Sequence, residues 1–327
     1  MASAIDELHR KEILRRREAL EPVLHSPAAP SAERLRRQVD AALDRFEHGT
    51  YGICQACHGN VEAERLLADP LVSVCLECLS ADDRQKLQAD LALARSIQAS
   101  LLPRRDLELE GWCVDYRYVP AGPVSGDYVD LIRPPDGGAA TVLFGDVSGK
   151  GVAASLLMGA LHAIFRSLAS LELEPAEIIR RANRVFCDST PSASYATLLL
   201  ARTMRGGRVE LFNAGHPPPL LRRAGAVTTL PLGGVAFGMF CGAEYEPTAV
   251  ELAPGDALLF FTDGLPDAED DAGDFFGVER LAHAFARTHG HDASGATLFV
   301  LNEVARHSRD VARADDMTVM VVERSGK

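Results

Sequence analysis

The chain has 327 residues, 47% hydrophobic and 24% charged, with a formal net charge of −12. That is enough apolar material for a real core and enough length for one large domain beside a smaller one. A balance this acidic argues against a general nucleic-acid binder, so no direct nucleic-acid contact is expected. Residues 1–48 depart from the acidity, with nine Lys/Arg against nine Asp/Glu, and the remainder carries the whole negative balance. Met1 to Lys11 show no apolar leader, and the longest apolar stretch, Val152 to Phe165, is too short to cross a bilayer and contains His162. The expectation is a cytoplasmic protein with no membrane association.

In chain order, residues 5–24 read as a charged helix, and Ser26 to Pro30 as a break. A second helix follows, with Leu35, Val39, Ala42, Leu43 and Phe46 on one face and Gly49 at its end, which makes 1–49 a helical hairpin. Residues 50–80 hold paired cysteine motifs. Residues 81–103 form a linker helix with Leu87, Leu91, Ala94, Ile97 and Leu101 near one face, stopped by Pro103. From Trp112 the texture changes to strands, interrupted by helices at about 152–170 and 176–189. A hairpin follows, 196–203 and 209–213 around Arg205-Gly206-Gly207; the strands run to Phe261, then helices at 278–289 and 294–308 and a last strand at 318–323. Over 104–327 this grouping predicts an α+β fold, an antiparallel β-sandwich flanked by helices.

Cys54-x2-Cys57 and Cys75-x2-Cys78 are separated by seventeen residues. Each Cys-x-x-Cys turn aims two thiolates at one ion, and two such turns complete a tetrahedral site for one structural Zn²⁺. The metal would supply folding energy to a segment too short to build a core. The stretch Val39-Asp40-Ala41-Ala42-Leu43-Asp44-Arg45-Phe46-Glu47-His48-Gly49-Thr50-Tyr51-Gly52-Ile53-Cys54, with Arg65-Leu66 and Pro70 before Cys75, resembles the DksA/TraR-type zinc finger. In that family some members bind RNA polymerase. The bend here, Ser26 to Pro30, lacks the acidic residues that the polymerase-acting members carry, so a docking or dimerising role stands beside polymerase binding. The remaining cysteines, Cys113, Cys187 and Cys241, read as core residues rather than nucleophiles.

Four aspartates sit at the ends of apolar runs: Asp127 in Ser-Gly-Asp, Asp146 in Phe-Gly-Asp-Val-Ser-Gly-Lys-Gly, Asp263 in Phe-Thr-Asp-Gly and Asp315 in Asp-Asp-Met-Thr. Strand ends can aim several carboxylates at one point. Carboxylates that converge repel one another and need a cation, and all-oxygen ligation favours Mg²⁺ or Mn²⁺ over Zn²⁺. A P-loop is excluded, because Phe144 stands where its first glycine would be and Gly151 replaces the Ser/Thr.

These motifs, with Asn213-Ala-Gly-His216-Pro-Pro and the entry Ala94-Arg-Ser-Ile-Gln-Ala-Ser-Leu-Leu-Pro103, resemble in their order the PPM-type serine/threonine phosphatases of the SpoIIE and RsbU class. The resemblance implies two divalent ions between two antiparallel sheets. Asp146 would bridge them, the carbonyl of Val147 would add a ligand, Asp263 and Asp315 would hold one ion, and Asp127 would lie close by. Asp146, Asp263 and Asp127 are thus the candidate catalytic residues. Ser148 stands where the eukaryotic branch has a histidine. Lys150 is open between meeting phosphate and being a solvated turn residue, His216 reads better as part of a turn than as an acid, and Asp130 and Asp316 are candidate metal ligands or residues supporting them. The implied substrate is a phosphoprotein, such as an anti-sigma-factor antagonist, with regulation through a partner or a homodimer contact at residues 1–80. The alternative reading is a transcription regulator that binds RNA polymerase through the finger and uses the phosphatase domain as sensor or scaffold. A cyclic-nucleotide or polyphosphate hydrolase shares the metal logic but lacks a base-binding motif.

Overall fold

The computed structural model describes residues 9–11, 13–15, 17, 29–105, 107–109, 111–133, 139–171, 173–190, 194–309, 311 and 313–326. Most of the expected 5–24 helix and of the 26–30 break lies outside them. The chain divides into two compact units, Met1–Asp90 and Leu91–Lys327.

In the first unit, α1 (Ala29–Glu47) buries Val39, Ala42 and Leu43, spaced for one helical face. Ile13, from the helical residues before it, joins that cluster, with Phe46, Tyr51 and Leu71 packed around it. The Arg45 guanidinium donates to the carbonyls of Val72 (2.8 Å) and Leu71 (3.0 Å), tying α1 to the cysteine-bearing segment. That segment holds the short α2 (Ala63–Ala68) and a small cluster of Cys54, Val61, Leu66 and Cys75. α3 (Ala81–Leu101) starts under a cap, where the Ser80 hydroxyl accepts from the Asp83 amide at 3.1 Å. Its apolar residues do not make a buried face: Leu93 and Ile97 are 61% and 55% exposed. Its buried residue is Gln98.

The second unit is a sandwich. One sheet has six strands in the order β1-β2-β11-β10-β7-β8: β1 (Leu107–Leu109), β2 (Trp112–Val119), β11 (Met317–Arg324), β10 (Ala257–Phe261), β7 (Leu220–Arg223) and β8 (Ala226–Thr229). The other has five in the order β3-β4-β5-β6-β9: β3 (Asp127–Ile132), β4 (Thr141–Val147), β5 (Ala196–Thr203), β6 (Arg208–Ala214) and β9 (Thr248–Glu251). All their pairings are antiparallel. Helices α4 (Gly151–Ala169) and α5 (Pro175–Ser189) cover the five-stranded sheet, and α6 (Gly277–Ala286) and α7 (Ala293–Ser308) the six-stranded one.

Alternation assigns each side chain its layer. In β4, Val142 and Phe144 enter the core between the sheets, while Leu143 and Val147 pack under α4 and α5. Both faces are covered, so the strand reads as a nearly continuous apolar run. α4 matches the helix expected at about 152–170, and its 19 residues, unlike the apolar stretch Val152 to Phe165 alone, meet the length and composition needed to cross a membrane. Ala154, Met158, Leu161 and Phe165 are buried at helical spacing, and the last three join the core under the five-stranded sheet, the pattern of a core helix. Cys187 and Cys241, expected as core residues, are instead joined as a disulfide with their Cα atoms 5.5 Å apart. A separation of 54 residues leaves no local trace of that pairing.

Phe144 is fully buried, packed against Phe260 from the opposite sheet with ring centroids 6.0 Å apart. Phe144→Ala is expected to cost about 3–5 kcal/mol of stability, read from denaturant unfolding.

Candidate metal centres

The sandwich brings the aspartates to one end of its interior. Asp127 and Asp146 are directly paired across β3 and β4, so their side chains share a face. That face is the inner one, continuing the rows Val129–Leu131 and Val142–Phe144 of the core between the sheets. The Asp127 carboxylate is almost fully buried and accepts hydrogen bonds from two hydroxyls of the opposite sheet, Thr262 Oγ1 at 3.2 Å and Thr318 Oγ1. Its pKa is raised well above the carboxylate range, first by burial and then by the charge of Asp146. Asp146 is pushed up to about 7 by burial, then by the charges of Asp263, Asp315 and Asp316. Asp263, just past β10, is raised by burial and by Asp315.

Two close approaches hold the frame. A Cβ at Gly126 would lie 2.9 Å from the Val147 carbonyl and 3.2 Å from Asp146 Oδ1, and one at Gly264 would lie 2.0 Å from the Asp316 carbonyl. Only glycine fits at either position. The Asp316 carboxylate accepts from the amides of Ala121 (2.7 Å) and Gly126 (3.1 Å), so it braces the loop before β3. Lys150 Nζ lies 2.9 Å from Asp315 Oδ2 and donates to the Ala314 carbonyl at 2.8 Å. Ser148 Oγ accepts from the Tyr195 amide at 3.1 Å and extends the β4–β5 ladder.

One sequence candidate falls away from the carboxylate group. Asp130 is on the helix side of β3, one residue out of phase with Asp127, where Arg166 clamps it from α4 at 2.5 and 2.8 Å. His216 lines a cavity of about 350 Å³ with Asp146, Thr197, Gly215, Pro217, Pro218 and Asp263. Both its ring nitrogens are engaged: Nε2 donates to the Phe261 carbonyl at 3.1 Å, and Nδ1 accepts from Thr197 Oγ1 at 2.9 Å. Burial pushes its pKa down to about 3. Thr197, Thr262 and Thr318 were missed from sequence, although the alternation that places Phe260 and Met320 inside also places Thr262 and Thr318 there.

The donor set suits a hard divalent cation: clustered carboxylates, those of Asp127, Asp146 and Asp263 raised in pKa by burial and then by their neighbours' charges, with one lysine as counter-charge. Among the described residues, only the four cysteines bring three or more ligand atoms within 4.8 Å of one another. The carboxylates are spread wider, which fits two ions better than one. Cys54 and Cys75 are buried, and the Cys75 amide donates to Cys54 Sγ at 3.3 Å. Amide donors from Cys57 and Cys75 bring the Cys54 thiol down to about 6, toward the thiolate that zinc requires.

Comparison with known proteins accords with both centres. The model of stage II sporulation protein E (SpoIIE) matches residues 136–325, more than half of the chain. The prokaryotic DksA/TraR C4-type zinc finger matches residues 49–84. Protein IcfG of Synechocystis is 27% identical over 266 residues, covering 72% of this chain and 42% of its own. The phosphoserine phosphatase RsbU of Bacillus subtilis is 24% identical over 193 residues, covering 58% of this chain and 57% of its own. The chain thus spans about half the length of these curated relatives. The SiaA PP2C domain of Pseudomonas aeruginosa, at 22% identity, superposes with a TM-score of 0.65 over 74% of this chain and 98% of that one.

His216→Gln is expected to leave the shape of any pH–rate profile between about pH 6 and 9 unchanged, because the native ring is already neutral there; a lost limb would make the ring a proton donor. Its depressed pKa favours the neutral folded form, so its contribution is complete above the unfolded value of about 6.5 and is lost as pH falls toward 3. The Gln variant should therefore show a weaker acid-side loss of melting temperature. Cys54→Ser, or a chelator, should release zinc and abolish the cooperative unfolding of residues 29–90, measured by metal analysis and calorimetry.

Proposed function

Because this chain belongs to the SpoIIE family, we propose that it is a metal-dependent protein phosphatase that hydrolyses phosphoserine or phosphothreonine in a bacterial signalling protein. The observation that carries the reading is the convergence of Asp127, Asp146, Asp263 and Asp315 from two facing sheets onto one end of the sandwich, in the order of the family motifs. In this reading Asp146, the Val147 carbonyl, Asp263 and Asp315 hold Mn²⁺ or Mg²⁺, with Asp127 behind them. When bound, such ions supply Lewis acidity that activates water and offsets the phosphate charge.

The chain's own groups have separate tasks. Asp146 and Asp263 line the cavity and would set the approach to phosphorus. The Thr197 hydroxyl donates its proton to His216, so it serves the wall of the cavity and not as a nucleophile. The Lys150 ammonium, beside Asp315 and mostly exposed, is placed to meet an incoming phosphate oxygen. Overall, one water adds across the bond from phosphorus to the serine or threonine oxygen, releasing inorganic phosphate and the free hydroxyl, which takes the proton.

The zinc module would be the regulatory end, docking a partner protein, RNA polymerase or a second copy of the chain. An antagonist of an anti-sigma factor is the substrate class that the RsbU likeness favours. A cytoplasmic setting suits such a partner; the Cys187–Cys241 disulfide is the feature that argues for an oxidising one.

The test is manganese-dependent phosphate release from a phosphoserine protein, comparing the wild type with Asp146→Asn and Asp263→Ala. Activity should need the metal and fall by roughly two orders of magnitude or more in each variant. A folded, manganese-loaded wild type that releases no phosphate from any phosphoprotein offered, with or without a partner, would overturn the reading.

A further inference from the structure

The buried residue of α3 is polar. Gln98, 6% exposed, lies on a helix whose Leu87, Leu93 and Ile97 are exposed, and its carboxamide is spent on one partner. Nε2 donates to the Ser125 carbonyl at 2.7 Å, and Oε1 accepts from the Ser125 amide at 3.1 Å. The side chain thus completes both backbone bonds of a residue just before β3, as a neighbouring strand would. A carboxamide is suited to this, because it offers one donor and one acceptor at fixed spacing.

What it grips matters more than the grip. Ser125 is fully buried, and its hydroxyl accepts from the Asp127 amide at 3.1 Å. Next to it, Gly126 donates its amide to Asp316 at 3.1 Å and accepts from the Val147 amide at 3.3 Å. The backbone of the Ser125-Gly126-Asp127 turn is therefore held on three sides: by Gln98 from the helix, by Asp316 from the loop before β11, and by Val147 from β4. The helix supplies the hold on Ser125, and the turn it fixes places Gly126 against Asp146 and Asp127 across from it.

We propose that Gln98 is a positioning residue of the carboxylate centre: its two hydrogen bonds to Ser125 set the Gly126–Asp127 backbone against Asp146, so divalent-cation affinity depends on them. The inference rests on the phosphatase reading only in taking those carboxylates as a cation site.

The experiment uses the full-length, zinc-loaded chain and titrates Mn²⁺, reading the free ion by electron paramagnetic resonance. Gln98→Leu keeps size and removes both bonds; Gln98→Glu keeps the acceptor for the Ser125 amide and loses the donor. Gln88→Leu, on an exposed part of the same helix, controls for helix propensity. Gln98→Leu should weaken Mn²⁺ binding roughly 10- to 100-fold, Gln98→Glu should weaken it too, and Gln88→Leu should not. Phosphatase activity of the Gln98 variants should recover toward the wild-type kcat at high Mn²⁺. A lowered melting temperature with wild-type Mn²⁺ affinity in either folded Gln98 variant overturns the proposal and leaves the phosphatase reading standing. If Gln98→Leu does not fold, Gln98→Glu decides. A wild type that binds no Mn²⁺ removes both.

Discussion

A carboxylate buried between two sheets governs the sandwich unit. Asp127 belongs to the five-stranded sheet, yet its hydrogen-bond partners, Thr262 and Thr318, stand on the six-stranded one. A buried carboxyl without donors is costly, and here its hydroxyl donors stand across the core. The bond therefore fixes how the two sheets meet at this end. Asp146 inherits its position through direct pairing with Asp127, and Asp263 and Asp315 follow Thr262 and precede Thr318 by one and three residues. A set of like charges is held together by strands that the apolar core has already committed to that geometry.

Much of this was legible in the sequence. The strand and helix order from 112 to 324, the sandwich, the cysteine set and the aspartate group follow from alternation, glycine placement and motif order. What escaped has physical reasons. Asp130 was drawn toward the site by its nearness to Asp127, although a period of two sends it to the helix layer with Arg166. Thr262 and Thr318 were passed over because a threonine in a strand is ordinarily unremarked. Gln98 drew no separate notice; its partner is backbone 27 residues away, which no pattern of residue types records. Of the apolar face expected on α3, Leu87 and Ile97 are exposed and Leu101 packs against the core under the five-stranded sheet.

The two units are stabilised by different physics. The sandwich buries three separate apolar clusters, one between the sheets and one under each pair of helices. The zinc module buries Val61 and Leu66 beside Cys54 and Cys75, and leans on Arg45 and the backbone carbonyls it holds. A segment with so little apolar area relies on ligation for its fold, while the sandwich would keep its shape with the carboxylates empty.

Gly126 and Gly264 form two walls of the carboxylate centre by lacking side chains, each pressed against a backbone carbonyl. Two backbones in contact leave no room for a side chain to be added or reshaped there. In the phosphatase reading, this rigid frame would meet only the small, common part of any substrate, the phosphoryl group itself. Discrimination between one phosphoprotein and another would then fall to side chains outside this frame, which are free to change without disturbing it. A single rigid chemistry can in this way serve many clients, with choice written on a surface that takes no part in it.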